Sequence, residues 1–82
     1  MSVVQKSIIK DICIMEIKKK FGKNLKRLRI EKGLSQESLA LLADLDRTYV
    51  PSIEKGERNV SIAVVEKLSK ALHVQISEFF KD

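Results

Sequence analysis

The stretch GLSQESLALLADLDRTYVPSIEKGERN, residues 33–59, contains two short helical patterns joined by a tight turn. Ser35 is a good N-cap for a helix over 36–43, because its hydroxyl can accept a hydrogen bond from a backbone N–H of the first turn. The link 44–46 has the length of the turn in a helix-turn-helix, and its last residue, an aspartate, can cap a helix over 47–55. The stretch therefore predicts two helices held at a fixed angle.

The second helix of this pair has an outer face that is unusual for a plain solvated helix. Val50 and Ile53 are spaced to face inward, since residues at i and i+3 share a helix face. The side chains left on the outside are those of Arg47, Thr48, Tyr49, Ser52 and Lys55. A guanidinium fork, hydroxyl groups and an aromatic ring suit the reading of base edges in the major groove of DNA. We therefore expect the segment 46–55 to be a recognition helix, with Arg47 as the best candidate for a contact to guanine.

Pro51 conflicts with a regular helix in this segment. Proline lacks a backbone N–H, and its ring crowds the carbonyl of the residue four positions earlier, which here is Arg47. We therefore expect a local kink or a tightened first turn in the recognition helix.

Residues 16–32 also show a clear helical pattern. One face of this helix would carry the apolar residues at i, i+4, i+8 and i+11, namely Ile17, Phe21, Leu25 and Leu28. Gly33 is a natural left-handed stop, whereas Gly22 lies inside the helix and weakens it by roughly 1 kcal/mol relative to alanine. The surrounding lysines are either a solvated face or a sequence-independent field that attracts phosphate.

Apolar residues near the C-terminus exceed what one small core needs. Ser61 is expected to cap a helix over 62–72, and Ser77 a last short helix. Surplus exposed apolar surface usually marks a contact with another molecule. We therefore expect a subunit interface, in preference to simple closure of the core, and it would contain Val64, Ile76, Phe79 and Phe80.

Residues 1–15 are the least regular part of the chain. Ile8, Ile12 and Met15 follow i, i+4, i+7 spacing, which is partly helical. Three interpretations stay open: an extra helical segment packed on the core, a partner-binding arm, or a loose tail; Met15 could also be an alternative start. We divide the chain into an N-terminal extension, 1–15, and one DNA-binding and dimerisation domain, 16–82.

The bulk composition fits one small domain with an acidic partner. The chain has 82 residues, a net charge of +5 and a pI near 9.5, which favours nucleic acid first and a membrane surface second. Cys13 is the only cysteine, so an internal disulfide is excluded and a reducing cytosol fits. The sequence shows neither a signal-peptide pattern nor an apolar run of membrane-spanning length, which predicts a cytoplasmic protein.

The inventory of reactive side chains argues against an enzyme. The single histidine and single cysteine are accompanied by no convergent carboxylate pair, no glycine-rich phosphate loop and no set of metal ligands. We therefore expect no catalytic residues, no metal and no cofactor. His73 is expected to cap the end of a helix, where the helix dipole favours a positive charge.

The assembled segments resemble the Cro/Xre-type helix-turn-helix family, the lambda-repressor-like DNA-binding domains. The matching pieces, LKRLRIEKGLSQESLALLA, DLDRTYVPSIEKGERN and VSIAVVEKLSKALHVQISEFF, follow one another without a break, and the resemblance covers residues 17–80. It implies an all-α fold of five helices and a symmetric homodimer, formed through the C-terminal helices, on a palindromic operator in double-stranded DNA. Within the family, the tract LDRTYVPSIEKGERNVS most resembles controller proteins of restriction-modification systems, small dimeric regulators of their own promoter and of the endonuclease gene.

The resemblance also implies roles for individual residues. Gln36 would hold a phosphate and brace the recognition helix, and Arg58 and Asn59 would grip the DNA backbone beyond it. Arg29 and Glu54 would form a buried ion pair that fixes the angle of this helix. Contacts to bases or adjacent phosphates would come from Arg47, Thr48, Tyr49 and Ser52, with Lys55 as a further phosphate contact. A contact with RNA polymerase is a further expectation for a regulator of this kind.

Three positions depart from the family pattern. Asp44 stands where relatives usually have glycine, so the turn requires a left-handed aspartate. Pro51 replaces a residue that is often serine, and His73 stands where a glycine often ends the fourth helix. The alternative functions are a phage-type repressor and an antitoxin-like DNA-binding module with a protein partner, which the apolar segment 1–15 would favour. A membrane-surface helix over 18–32 is disfavoured, because its apolar face is needed for the core.

Overall fold

The computed structural model describes the backbone of residues 3–82 and the side chains of residues 13–82. This part of the chain is all-helical, as predicted, and consists of α1 Val3–Glu31, α2 Gln36–Leu42, α3 Tyr49–Glu54, α4 Ile62–Leu72 and a C-terminal 3₁₀ helix, Ile76–Phe80. The boundary drawn after residue 15 falls inside α1, whose backbone continues from Val3 into the domain. Residues 1–2, and the side chains of 1–12, lie outside the described residues. None of the described helices combines the length and hydropathy needed to cross a membrane.

Ser35 and Ser61 are the N-caps of α2 and α4, as predicted. The Ser35 hydroxyl accepts a hydrogen bond of 3.0 Å from the N–H of Ser38, and the Ser61 hydroxyl accepts one of 3.2 Å from Val64. Both serines therefore satisfy a backbone donor that has no partner inside the helix. The predictions for the starts of α2 and α4 are confirmed.

Two non-glycine residues adopt left-handed backbone conformations at turns. Asp44 has a φ of 55°, and the next residue, Leu45, donates its N–H to the carbonyl of Ala40 at 2.8 Å. His73 has a φ of 56° and ends α4, where its N–H bonds back to the carbonyl of Lys70. The left-handed aspartate expected in the turn after α2 is therefore present, and His73 does occupy the C-cap position.

The core lies where the four α-helices and the 3₁₀ helix meet. Its members are Phe21, Leu25, Leu28, Leu39, Ala40, Ala43, Val50, Ile53, Leu68, Leu72 and Phe79. Ile17, which the apolar pattern placed on the same face, is instead 57% exposed. The fully buried part of α1 thus begins at Phe21, and the described side chains before it are exposed or only partly covered.

The C-terminal element corrects two sequence-based expectations. The described chain contains four α-helices rather than five, because the last element is a 3₁₀ helix in which the N–H of Glu78 bonds to the carbonyl of Gln75. Ser77 consequently lies inside this element and does not cap it. Phe79, predicted for the subunit interface, is fully buried, with its ring centroid 4.8 Å from that of Phe21. Successive residues of a 3₁₀ helix differ by about 120° in direction, so Phe79 and Phe80 cannot both face outward.

Asn24 holds the C-terminal segment against α1. This side chain is 6% exposed, and its Nδ2 donates to the carbonyls of Phe79 at 2.9 Å and Lys81 at 2.8 Å. Because the two carbonyls flank Phe80, the amide fixes the backbone on both sides of that residue. Sequence analysis gave Asn24 no role, because its partners are backbone carbonyls 55 and 57 residues away in sequence.

Gly22 marks the closest approach of α1 to α3. A Cβ atom placed on this buried residue would lie 2.2 Å from the carbonyl oxygen of Ile53 and 3.0 Å from that of Glu54. Both atoms belong to the backbone of α3 and cannot rotate away. The glycine that weakens α1 as an isolated helix therefore allows the domain to pack.

We expect Gly22→Ala to lower the free energy of unfolding by about 1–3 kcal/mol, the usual cost of overpacking a core. Helix propensity alone would raise that free energy by roughly 1 kcal/mol, so the two effects have opposite signs. Urea unfolding followed by circular dichroism measures the difference. The control is Lys23→Ala, an exposed neighbour on the same helix. A Gly22→Ala protein as stable as the unsubstituted chain would contradict the close contact.

Candidate nucleic-acid interface

The start of the predicted recognition helix is shaped by Asp46 and Pro51. The Asp46 carboxylate accepts hydrogen bonds from both the backbone N–H and the hydroxyl of Thr48. The N–H of Tyr49 bonds to the carbonyl of Asp46 at 3.0 Å, three residues back rather than four. Regular α-helix therefore begins at Tyr49 and not at Arg47, and the tightened first turn expected from Pro51 is confirmed.

Asp46 was expected to cap this helix, but the N-cap is Thr48, whose side chain makes no capping bond, and the Asp46 carboxylate bonds to Thr48 instead. These hydrogen bonds also affect the pKa of Asp46. Its hydrogen bonds from the side chain and then the backbone of Thr48 lower the pKa of this carboxyl below its ordinary value. A carboxyl with a lowered pKa in the folded state stabilises that state above its ordinary pKa, and the contribution is lost as the pH falls through the lowered value.

A nearly buried ion pair joins α1 to α3. Arg29 Nε lies 2.7 Å from Glu54 Oε2, and the two side chains are 12% and 5% exposed. Arg29 Nη2 donates to Glu54 Oε1 at 3.1 Å, so the guanidinium and the carboxylate meet as a two-bond fork. The hydrogen bond to Glu54 also raises the pKa of Arg29, so the guanidinium stays charged.

Two further bonds complete this brace. Arg29 Nη1 donates to the carbonyl of Leu34 at 2.8 Å, and Gln36 Nε2 donates to Glu54 Oε1 at 3.0 Å. The second bond places Gln36 in the bracing position that the resemblance implied for it. The carbonyl of Leu34 was missed by sequence analysis, because a backbone acceptor leaves no trace in side-chain identity. Helices α1, α2 and α3 are thus joined at one carboxylate.

The surface formed by α3, the turn before it and the loop after it contains both exposed and partly covered side chains. Arg47, Thr48, Lys55 and Asn59 are exposed. Tyr49, in contrast, is partly covered by Arg58, whose Cζ lies 4.1 Å from the centroid of the tyrosine ring. A cation over an aromatic face is an attractive arrangement. The guanidinium of Arg58 is therefore held beside α3 although it lies outside the helix.

Ser52 is used differently from the expectation. Its hydroxyl lies 3.0 Å from the carbonyl of Thr48 and 2.9 Å from that of Tyr49, and it can donate its one proton to them. The same oxygen accepts a hydrogen bond of 2.7 Å from Arg58 Nε. These bonds occupy the hydroxyl within the protein. Ser52 therefore orients Arg58, and it does not present a free group as Arg47 does.

A shallow groove lies between α2 and the start of α3, and Gln36, Glu37, Arg47, Thr48 and Pro51 line it. Among the residues that the structure describes, no three His, Cys, Asp or Glu side chains are grouped so that they could hold a metal ion.

Comparison with known proteins identifies the architecture. The helix-turn-helix family model HTH_3 matches residues 25–79, more than half of the chain. The chain belongs to this helix-turn-helix family. The Cro/Xre-type domains of this family are transcriptional regulators and not enzymes, so the resemblance inferred from sequence is confirmed.

Similar proteins include several restriction-modification control proteins. Control protein C.MunI of Mycoplasma sp is 56% identical over 68 residues, which cover 82% of this chain and 92% of that protein. Control protein C.BamHI of Bacillus amyloliquefaciens is 52% identical over 56 residues, or 67% of this chain and 69% of that protein. The crystal structure of the restriction-modification controller protein C.AhdI from Aeromonas hydrophila superposes with a TM-score of 0.75 at 51% identity, covering 77% and 96% of the two chains.

The bond between Ser52 and Arg58 leads to a prediction about DNA affinity. In a helix-turn-helix protein the DNA lies along the outer face of the recognition helix, where Arg58 is held. We expect Ser52→Ala to weaken DNA binding by roughly 1 kcal/mol, the usual net contribution of one hydrogen bond. We further expect the double variant with Arg58→Ala to bind no more weakly than Arg58→Ala alone.

Fluorescence anisotropy on one DNA duplex measures all four proteins of this double-mutant cycle. Coupled residues give a loss in the double variant that is smaller than the sum of the single losses. Strictly additive losses would show that Ser52 contributes independently of Arg58, and would contradict the positioning role.

Proposed function

We propose that this chain is a transcriptional regulator that controls a restriction-modification system and binds a palindromic operator as a homodimer. The family and the control proteins among the similar sequences support the regulatory role. The observation that carries the mechanism is the brace of Arg29, Glu54 and Gln36, which holds α3 with Arg47 and Thr48 facing outward. An outward and rigidly held α3 suits docking into the major groove.

The residues that contact bases lie at the N-terminal end of α3 and in the turn just before it. Arg47 is exposed and has a guanidinium that matches O6 and N7 of guanine, the commonest specific contact in the major groove. Thr48 is exposed beside it, although its hydroxyl also bonds to Asp46. Tyr49 offers a ring edge next to Arg58. These residues read sequence at one half of the operator.

Phosphate contacts set the register of the helix on the duplex. Lys55 and Asn59 are exposed, and Arg58 is fixed between Tyr49 and Ser52. Gln36 uses one amide hydrogen for Glu54, which leaves the second hydrogen and the carbonyl for a phosphate or a water molecule. Such contacts give affinity and register but little sequence information.

Two copies are needed because one short helix offers few base contacts. Helix-turn-helix dimers bind half-sites about 34 Å apart, which requires an inverted repeat in the DNA. The partly exposed residues at the C-terminal end supply an apolar face for this dimer. Ile76 and Phe80 are 45% and 44% exposed, and Val64 is half-buried on α4. Phe79 is excluded from this face by its burial.

In vitro selection of bound DNA tests this proposal. The recovered sequence is expected to be an inverted repeat with half-site centres one helical turn apart, about 34 Å. The same repeat is expected upstream of the gene for this chain, beside genes for an endonuclease and a methyltransferase. Recovery of an unrelated, asymmetric site would contradict the palindromic operator.

Arg47→Ala is expected to weaken binding to the selected operator by about 1–3 kcal/mol, because it removes a base contact. Binding to a scrambled duplex should weaken much less. Lys55→Ala is the matched control, since it removes an exposed cation from the opposite end of the same helix. It should weaken binding to both duplexes alike, and it should reduce the slope of log affinity against log salt concentration by about one. Equal losses on both duplexes for Arg47→Ala, measured by anisotropy titration, would show that Arg47 contacts only phosphate.

A further inference from the structure

An apolar groove lies between α1, α4 and the C-terminal 3₁₀ helix. It has a volume of about 310 Å³ and is bounded by Cys13, Ile14 and Ile17 of α1, with Val65 of α4 and Phe80 opposite them. The buried ring of Phe21 also lines it. The groove therefore combines the part of α1 before Phe21, called the projecting half below, with the C-terminal end of the chain.

The projecting half of α1 carries apolar side chains that the chain itself leaves uncovered. Ile14, Met15 and Ile17 are 50%, 53% and 57% exposed. The helix begins at Val3, so 18 residues, or about 27 Å at 1.5 Å per residue, precede Phe21. A contact with another molecule would stabilise this segment and cover its aliphatic residues.

The size of the C-terminal face indicates which molecule provides that contact. A stable interface buries about 800 Å² on each partner. Ile76 and Phe80 are each less than half exposed, so together they offer on the order of 200 Å², given 150–250 Å² for a whole aromatic side chain. These two side chains account for only part of such an interface, and the groove is the apolar surface that continues from them at Phe80.

We propose that the projecting half of α1 belongs to the subunit interface, and that a second copy of this chain fills the groove. The proposal rests on the homodimer put forward above and extends its interface from Phe80 to Ile14 and Ile17. Arg58 and Asn59 lie at the margin of the same groove. The second copy therefore packs directly against the loop that contacts the DNA backbone, and dimer assembly and DNA contact share one edge.

Cys13 provides a reporter that needs no substitution. It is exposed, lines the groove and is the only thiol in the chain. Its alkylation rate by iodoacetamide is measured across the protein concentrations over which sedimentation shows dimer formation. We expect the rate to fall by roughly tenfold in the dimer, because thiol reactions depend on access. A rate that stays constant while the dimer forms would overturn the proposal.

Charged substitutions locate the interface independently. Ile14→Glu places like charges in both copies of the proposed contact, and we expect it to raise the dimer dissociation constant by at least about tenfold, an effect of the size seen at interface hot spots. The matched control is Leu41→Glu on α2, where an aliphatic side chain that is 82% exposed does not line the groove. It should leave dimerisation unchanged, and circular dichroism should show that both variants are helical.

Phe80→Glu separates this proposal from the homodimer on which it rests. If Phe80→Glu gives monomers while Ile14→Glu remains dimeric, the C-terminal face is the interface and the role of α1 is refuted. If the unsubstituted chain sediments as a monomer at every concentration, the homodimer itself is refuted and the proposal falls with it. Loss of the dimer in both variants, with the dimer retained in Leu41→Glu, supports the extended interface.

Discussion

The two-bond contact between Arg29 and Glu54 is the constraint on which the rest of the structure depends. A buried ion pair contributes little net stability relative to well-packed apolar residues, since both charges must leave water. Loss of one partner is nevertheless costly, at about 3–5 kcal/mol, because the other charge stays buried. Its two hydrogen bonds fix the geometry of the pair, and Gln36 of α2 donates a further hydrogen bond to the same carboxylate. It therefore acts mainly by fixing α3 relative to α1 and α2.

Helix α1 connects every functional part of the domain. Gly22 lets the backbone of α3 approach, and Arg29 fixes the end of α3 two turns further along. Between these residues, Asn24 holds the carbonyls on both sides of Phe80. The reading surface and the C-terminal face are thus attached to one rigid helix. In the proposed dimer, the distance between two recognition helices is then set largely by how two copies of α1 are placed.

The sequence predicted well those features that depend on local chemistry. Ser35 and Ser61 cap their helices as expected, and Pro51 tightens its turn, because each effect involves neighbours within four residues. The ion pair of Arg29 and Glu54, 25 residues apart in sequence, came only from family resemblance. Periodicity alone does not identify partners on different helices.

The errors arose where tertiary packing overrides local pattern. Phe79 reads as surplus apolar surface, but the short C-terminal element forms a 3₁₀ helix that turns it into the core. Ser52 has the spacing of an outward residue, yet the loop returns Arg58 to its hydroxyl. Gly22 reads as a weakness in α1 because the backbone it accommodates lies 31 residues away at Ile53. The burial of Phe79 and the contact of Gly22 with Ile53 have no signature in residue spacing.

The most direct test of this account is the ratio of affinities for the selected operator and a scrambled duplex, compared between the chain and Glu54→Gln. This variant keeps the size of the side chain but removes the charge that orients Arg29. Partial unfolding lowers both affinities by the same factor, so the ratio reports the placement of α3. The account predicts a ratio lower by about tenfold or more, the loss of one base contact at 1–3 kcal/mol. An unchanged ratio in a folded variant would contradict it.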